Sequence, residues 1–397
     1  MGPRAAVHQL CKVRSRVEGL IVGLVVISAR GGSGLRVALV GYGLAGRVFH
    51  APLIAHTTGM SLVAVVTGDP ERQSQVASAF PGCRVVQTTD ELWRAAGEFD
   101  LAVVATPTGS HVPVGLQALR SGLHVVIDKP VAGTAVDAVV LAAEAKKVDR
   151  QVHVFHNRRW DSDFLTLRSL TEAGTLGRPV AMESRMESLN HLHPTSWRNS
   201  TEPRDFGGAL LDLGSHLVDQ AIQLMGPVES VSARTHSVRP GAGANDHFTM
   251  LLVHEGGSTS LLVGTKAAPS TGTRFTVVGT RAVARIEWID SQERALRDGM
   301  SPAGGAWGEE PPSAVVRLCS LDAAGDRQER LLHAVRGGWN GFYSKVRDAI
   351  NGDHPSPAPI QHAIETMRVL DAGRTSAAEN VTVVLAPPAG HGSVRGI

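Results

Sequence analysis

The chain has 397 residues, with 39 Lys+Arg against 37 Asp+Glu, a formal net charge of +2, 43% hydrophobic residues and 19% charged residues. That is the composition of a folded globule long enough for two domains, and the near balance of charge excludes the concentrated basic face that nucleic-acid binding needs. The three cysteines, Cys11, Cys83 and Cys319, are far apart and form no CxxC pair, which excludes a disulfide framework or a cysteine zinc site and fits a reducing cytoplasm.

Residues 1–34 precede the first strand pattern. They hold Arg4, Lys12, Arg14 and Arg16 and a short apolar run at 20–29. The layout is that of a signal peptide, but no small-x-small cleavage site follows and no twin-arginine pair precedes the run, which is too short to span a bilayer. This stretch reads as a disordered leader or a start assigned too early. No other segment has a transmembrane pattern, so no membrane partner is expected.

From 35 to 155, apolar runs at 35–40, 61–66, 101–105, 123–127 and 152–155 read as strands. Amphipathic stretches at 44–56, 70–79, 109–121 and 134–148 read as helices between them. Continuous apolar strands are buried on both faces, which means a parallel sheet flanked by helices. Beyond 156 the texture changes. Helices fit 161–173 and 208–225, and strands fit 228–237, 247–254, 258–265, 274–279 and 283–289. The stretch 291–313, rich in Gly, Pro and charge, reads as a loop, and helices at 340–351 and 360–377 close the chain. The expected class is α/β: a Rossmann dinucleotide-binding domain over 35–155, then an α+β domain with a mostly antiparallel open sheet over 156–387, and a loose tail at 388–397.

The run Gly41-Tyr42-Gly43-Leu44-Ala45-Gly46 stands between the first strand and the first helix. In that context the first Gly permits a tight turn, the second lets backbone approach a pyrophosphate, and the third lets helix pack on strand. A lone GxGxxG is weak, but strand–turn–helix order makes it a dinucleotide site. The end of the second strand reads the adenosine ribose, and Thr67 stands where an acid would select NAD. Thr67 with nearby Arg72 tolerates a 2′-phosphate, which favours NADP over NAD. The alternative is that Arg72 is solvated and Asp69 swings in to bind NAD.

Thr106 and Pro107 end the strand at 101–105 and His111 follows; they could line the cofactor, or form only a strand-to-helix turn. Asp128-Lys129-Pro130 ends the next strand. Lys129 is one of six lysines and sits where the ligand must be, where an ammonium can stabilise an alkoxide. In GGALLDLGSHLVDQ (207–220), Asp212 and His216 are four apart and share a helix face. His216 can take a proton from an alcohol as hydride leaves, and Asp212 can orient it or hold the substrate hydroxyl. The bland alternative is a surface pair. A metal site of His191, His193 and His216 is not expected, because no carboxylate–histidine spacing recurs.

Taken in order, GYGLAG, DKP and the D-x-x-x-H of 207–220 resemble the Gfo/Idh/MocA oxidoreductases. VFHAPLI (48–54) and FHNRRWDSDFL (155–165) resemble their scyllo-inositol 2-dehydrogenase branch. The likeness covers about 35 to 385. It implies that Lys129, Asp212 and His216 form the catalytic set, with Lys129 on the reacting oxygen, His216 as acid/base and Asp212 orienting. It implies that Asn157 and Arg158 meet substrate hydroxyls, and that Trp197 and Arg198, which match a WR pair of the inositol branch, bind substrate with His216. It also implies a homodimer or homotetramer joined through the open sheet, and a cyclic polyol or sugar as substrate. Asp128 replaces the more usual Glu, residues 186–196 lack the aromatic and arginine residues of the inositol branch, and His247 stands where a tyrosine is common. These departures keep an aldose, an amino-sugar derivative or a dihydrodiol open as substrate. A non-catalytic dinucleotide-binding sensor is the remaining alternative.

Overall fold

The computed structural model describes residues 34–189 and 196–386. The expected leader and tail, and His191 and His193, lie outside these residues.

Six strands form the first sheet: β1 (Leu35–Val40), β2 (Met60–Val66), β3 (Arg84–Val86), β4 (Leu101–Val104), β5 (His124–Ile127) and β6 (Val152–Val154). Their order is β3-β2-β1-β4-β5-β6, parallel at every pairing. β4 is buried along its whole length, which is why it reads as a continuous apolar run rather than an alternation. Helices cover both faces. Asp69 caps the helix Pro70–Ala79, its carboxylate accepting from the backbone of Glu71 and Arg72. Thr134 caps Ala135–Lys147 in the same way through Asp137.

The second sheet has nine strands: β7 (Pro179–Glu187), β8 (Val228–His236), β9 (His247–His254), β10 (Thr259–Thr265), β11 (Phe275–Gly279), β12 (Ala282–Ile286), β13 (Val315–Leu321), β14 (Arg327–His333) and β15 (Val383–Val384). Their order is β14-β13-β12-β11-β7-β10-β9-β8-β15. Only β7 and β10 pair in parallel; the other pairings are antiparallel. The expected class, a Rossmann sheet followed by a mostly antiparallel one, holds.

Several elements differ from the sequence reading. β3, β7, β13, β14 and β15 were not expected, nor was the helix Thr89–Arg94. β3 has three residues and β15 two, too few to show a period, and β14 (RQERLLH) is polar and exposed on an edge. The expected loop at 291–313 contains the helix Gln292–Arg297 and buries Trp307. The expected helix 208–225 is two pieces, Ala209–Asp212 and Gly214–Met225, broken at Leu213.

One hydrophobic cluster joins the two sheets, running from Val125 and Ile127 through Leu210 and Leu217 to Val231 and Met250. The closing helices reinforce the junction. Asp371, on Ile360–Glu379, accepts from the backbone of Ala135 at 2.8 Å. Phe342, Tyr343 and Val346, on Gly341–Ile350, pack with Val37, Leu39 and Val103 of the first sheet. The C-terminal strand ends of the Rossmann sheet therefore open toward the helix Gly214–Met225, and a cleft of about 1130 Å³ runs between them.

Candidate active site

The glycine turn forms one end of the cleft. Gly41 has φ +99°, a conformation that favours glycine, and a Cβ there would meet the Ala105 carbonyl oxygen at 2.8 Å. A Cβ on Gly46 would run into the Gly41 carbonyl, so the third glycine is needed for helix-on-strand packing. Gly43 faces open space. A side chain there would fill the cleft, and bare backbone leaves room for a pyrophosphate at a helix start, where N–H groups lack intrahelical partners. The turn thus fits a dinucleotide. Tyr42, Leu44 and Ala45 line the same wall, while Gly46 is packed behind it.

Thr67 follows β2 and lines the cleft with Arg72. Asp69 is committed elsewhere. Its Oδ1 accepts from the N–H of Glu71 (3.0 Å) and of Arg72 (3.1 Å), and its Oδ2 lies 3.4 Å from Arg72 Nε. Gln87 and Thr89 complete this pocket. They were missed because β3, which carries the chain to them, is too short to recognise.

Thr106, Pro107 and His111 reach the middle of the cleft. Both His111 ring nitrogens lie 2.8 Å from backbone carbonyls, those of Pro130 and Thr106. The ring ties the ends of β4 and β5 together, and burial pushes its pKa down. Asp128 Oδ1 accepts from the Lys129 N–H at 2.8 Å, and its Oδ2 lies 3.9 Å from His50 Nε2. Burial works against its charge, but His50 and Lys129 hold the carboxyl below the usual carboxylate range.

The far end gathers charge. Lys129 Nζ donates to the Asp212 backbone oxygen and to Oδ1, both at 2.9 Å. Lys266 Nζ lies 2.9 Å from Oδ2 of the same carboxylate, and Arg198 Nε lies 4.0 Å from it. Burial opposes the Asp212 charge, but Lys129, Lys266 and Arg198 hold the carboxyl well below its usual range. His216 lines the cleft one turn later. Its buried Nδ1 has no hydrogen-bond partner among the described residues. Burial, then Lys129, Arg158 and His156, hold its pKa well below 6.5, so the ring is neutral at pH 7 and can accept a proton.

Asn157 and Arg158 sit on the short turn after β6 and line the same end. Arg158 is paired twice, with Asp161 at 3.0 Å and Glu293 at 2.7 Å. The Arg198 guanidinium stacks on Trp197 at 4.5 Å, and both side chains line the cleft. The structure therefore gathers Lys129, Asp212, His216, Asn157, Arg158, Trp197 and Arg198 at one end of the cleft. Sequence reasoning missed Lys266 and Glu293. Lys266 carried the same signal that singled out Lys129, a rare lysine at a strand end. Glu293 lay in the stretch expected to be a loop. Among the described residues, no group of three or more His, Cys, Asp or Glu could hold a metal ion, and no helix is long and apolar enough to cross a membrane.

Two family models match. The oxidoreductase family, NAD-binding Rossmann fold, covers residues 35–156, and the GFO/IDH/MocA C-terminal domain covers 164–285. The uncharacterised oxidoreductase YdgJ of Escherichia coli K12 is 36% identical over 89% of this chain and 99% of its own length. The scyllo-inositol 2-dehydrogenase (NADP(+)) IolW of Bacillus subtilis 168 is 30% identical over 88% of this chain and 96% of its own. A solved oxidoreductase structure from Yersinia pestis superposes with a TM-score of 0.82 at 33% identity, covering 89% of this chain and 98% of that one.

Proposed function

Because the chain belongs to the Gfo/Idh/MocA family of NAD-binding oxidoreductases, and so to dehydrogenases acting on CH–OH groups of sugars or polyols, we propose that it oxidises a secondary alcohol of an inositol-like cyclic polyol, or reduces the matching ketone, with NADP preferred. The observation that carries this reading is the meeting of Lys129, Asp212 and His216 at the cleft end opposite the nucleotide pocket of Thr67 and Arg72.

The nicotinamide of the bound cofactor supplies the hydride acceptor or donor. Every other part of the chemistry falls to this chain. Lys129 points its ammonium at the reacting oxygen and stabilises the alkoxide as it forms. His216, neutral at pH 7, takes the hydroxyl proton in oxidation and returns it in reduction. Asp212 stays ionised and keeps the Lys129 ammonium aimed. Asn157 and Arg158 offer donors to the remaining hydroxyls. NADP preference is supported by Thr67 and Arg72 on the wall and by the capping role that occupies Asp69. The similarity to IolW points the same way.

A second reading, an aldose or another sugar within the same reaction class, is favoured by a segment 186–196 unlike that of the inositol branch. A non-catalytic sensor is disfavoured, because a neutral histidine beside a charged lysine in a dinucleotide cleft serves proton transfer. Absorbance at 340 nm with NADP or NAD and a panel of inositols and aldoses separates these readings. Inositol turnover with NADP supports the proposal. Turnover of sugars alone moves the substrate, and no turnover with intact cofactor binding favours the sensor.

A further inference from the structure

We infer that Lys266 is a fourth working group of the reacting centre: it donates to the substrate oxygen neighbouring the carbon that is oxidised, while pinning Asp212 from the side opposite Lys129. The inference deepens the sugar or polyol reading and rests on it.

Lys266 immediately follows β10. Its backbone N–H donates to the Asp246 carbonyl at 2.8 Å. Asp246 is in turn anchored by the N–H groups of Val238 (2.7 Å) and Arg239 (3.0 Å). The base of the Lys266 side chain is therefore fixed, and the side chain is 6% exposed yet on the cleft wall beside Asp212 and His216. An ammonium carries three protons. One faces Asp212 Oδ2 at 2.9 Å, and the other two meet no acceptor among the described residues.

A buried donor without an acceptor is costly, so these protons call for a partner in the bound state. The charge count agrees. Lys129, Lys266 and Arg198 converge on the single carboxylate of Asp212. Lys129 donates two protons to Asp212 and keeps its third for the reacting oxygen. The spare protons of Lys266 fit a second acceptor oxygen one carbon away. The substrate this site takes is a vicinal diol, or in reduction an α-hydroxy ketone. A lone secondary alcohol leaves Lys266 with Asp212 as its one partner and no substrate oxygen for its remaining protons.

The test compares the holoenzyme with Lys266→Met and Lys266→Arg on a cyclic polyol that wild type turns over and on its deoxy analogue lacking the neighbouring hydroxyl. Wild type is expected to lose about 10- to 100-fold in kcat/KM on the deoxy compound, the scale of a hydrogen bond to a charged group. Lys266→Met is expected to lose a similar factor on the polyol and no further on the deoxy compound, while Lys266→Arg recovers part of it. If the Met variant does not fold, Lys266→Gln carries the same comparison. A Met or Gln variant within twofold of wild type, or one that keeps the full preference for the diol, overturns the inference alone. Failure of wild type on every polyol and sugar overturns the underlying reading and this inference with it.

Discussion

Asp212 and His216 stand four residues apart on adjoining helical pieces, yet no hydrogen bond joins them among the described residues. Both Asp212 oxygens face lysines, Lys129 on Oδ1 and Lys266 on Oδ2, and the His216 Nδ1 is left without a partner. The carboxylate acts on the site through charge: it balances the ammonium groups beside a ring that burial keeps neutral.

His216→Ala removes the proposed proton acceptor and nothing that lines the nucleotide pocket. Turnover should fall about 10²- to 10⁴-fold, with NADPH affinity unchanged by fluorescence titration. Unchanged turnover would sink the role given to His216.

The depressed pKa of His216 predicts where activity is lost. Burial, then Lys129, Arg158 and His156, favour the neutral ring. The base stays competent as pH falls through 6.5 and is lost only well below it. The acid limb of kcat/KM for alcohol oxidation should lie clearly under 6.5. A limb at or above that value contradicts the electrostatics described.

In the proposed reading, cofactor choice rests on Thr67 and Arg72. Arg72→Glu should lower the NADP to NAD ratio of kcat/KM by roughly 10- to 100-fold, the worth of a charge-assisted contact to phosphate. A ratio that does not move would place the 2′-phosphate elsewhere or give the preference to NAD.

The glycines separate fold from function. Gly43→Val fills open cleft and should weaken cofactor binding with Tm unchanged, whereas Gly46→Val drives a side chain into the Gly41 carbonyl and should lower Tm. Calorimetry with cofactor titration checks both. Equal effects of the two variants on Tm would contradict the roles assigned.

Buried histidines make the fold acid-sensitive. Burial holds His156 down to about 4, against the pull of Asp219, and holds His153 down to about 3. Both titrate near 6.5 when unfolded. Their stabilisation is complete above that value and is lost as pH falls toward the folded values, by at most ~3 kcal/mol for His156 between 6.5 and 4. Urea midpoints at pH 7 and pH 4.5 should differ less in His156→Gln than in wild type. An equal drop in both would show that other groups carry the acid sensitivity.

Sequence alone determined most of the Rossmann half and its glycine turn, because those signals are local; β3, the helix Thr89–Arg94 and the cleft residues Gln87 and Thr89 escaped it. A glycine turn, a strand buried on both faces and a capped helix are each written in a few consecutive residues, so Gly41, Thr67 and Lys129 could be placed from spacing alone. The helical stretch 208–225 was legible in the same way, through its apolar face, but as one helix, without the break at Leu213. Tertiary structure decided what no local period encodes. β14 is polar and β15 has two residues, so only pairing with neighbours makes them strands. Trp307 is buried because distant segments close over a stretch that is locally loop-like. Lys266 and Lys129 are 137 residues apart and meet on one carboxylate only because β10 and β5, in different sheets, end at the same cleft. Charge balance at that carboxylate is a property of three-dimensional proximity, and it is what turns an i, i+4 pattern into a site with a neutral base and a clamped cation.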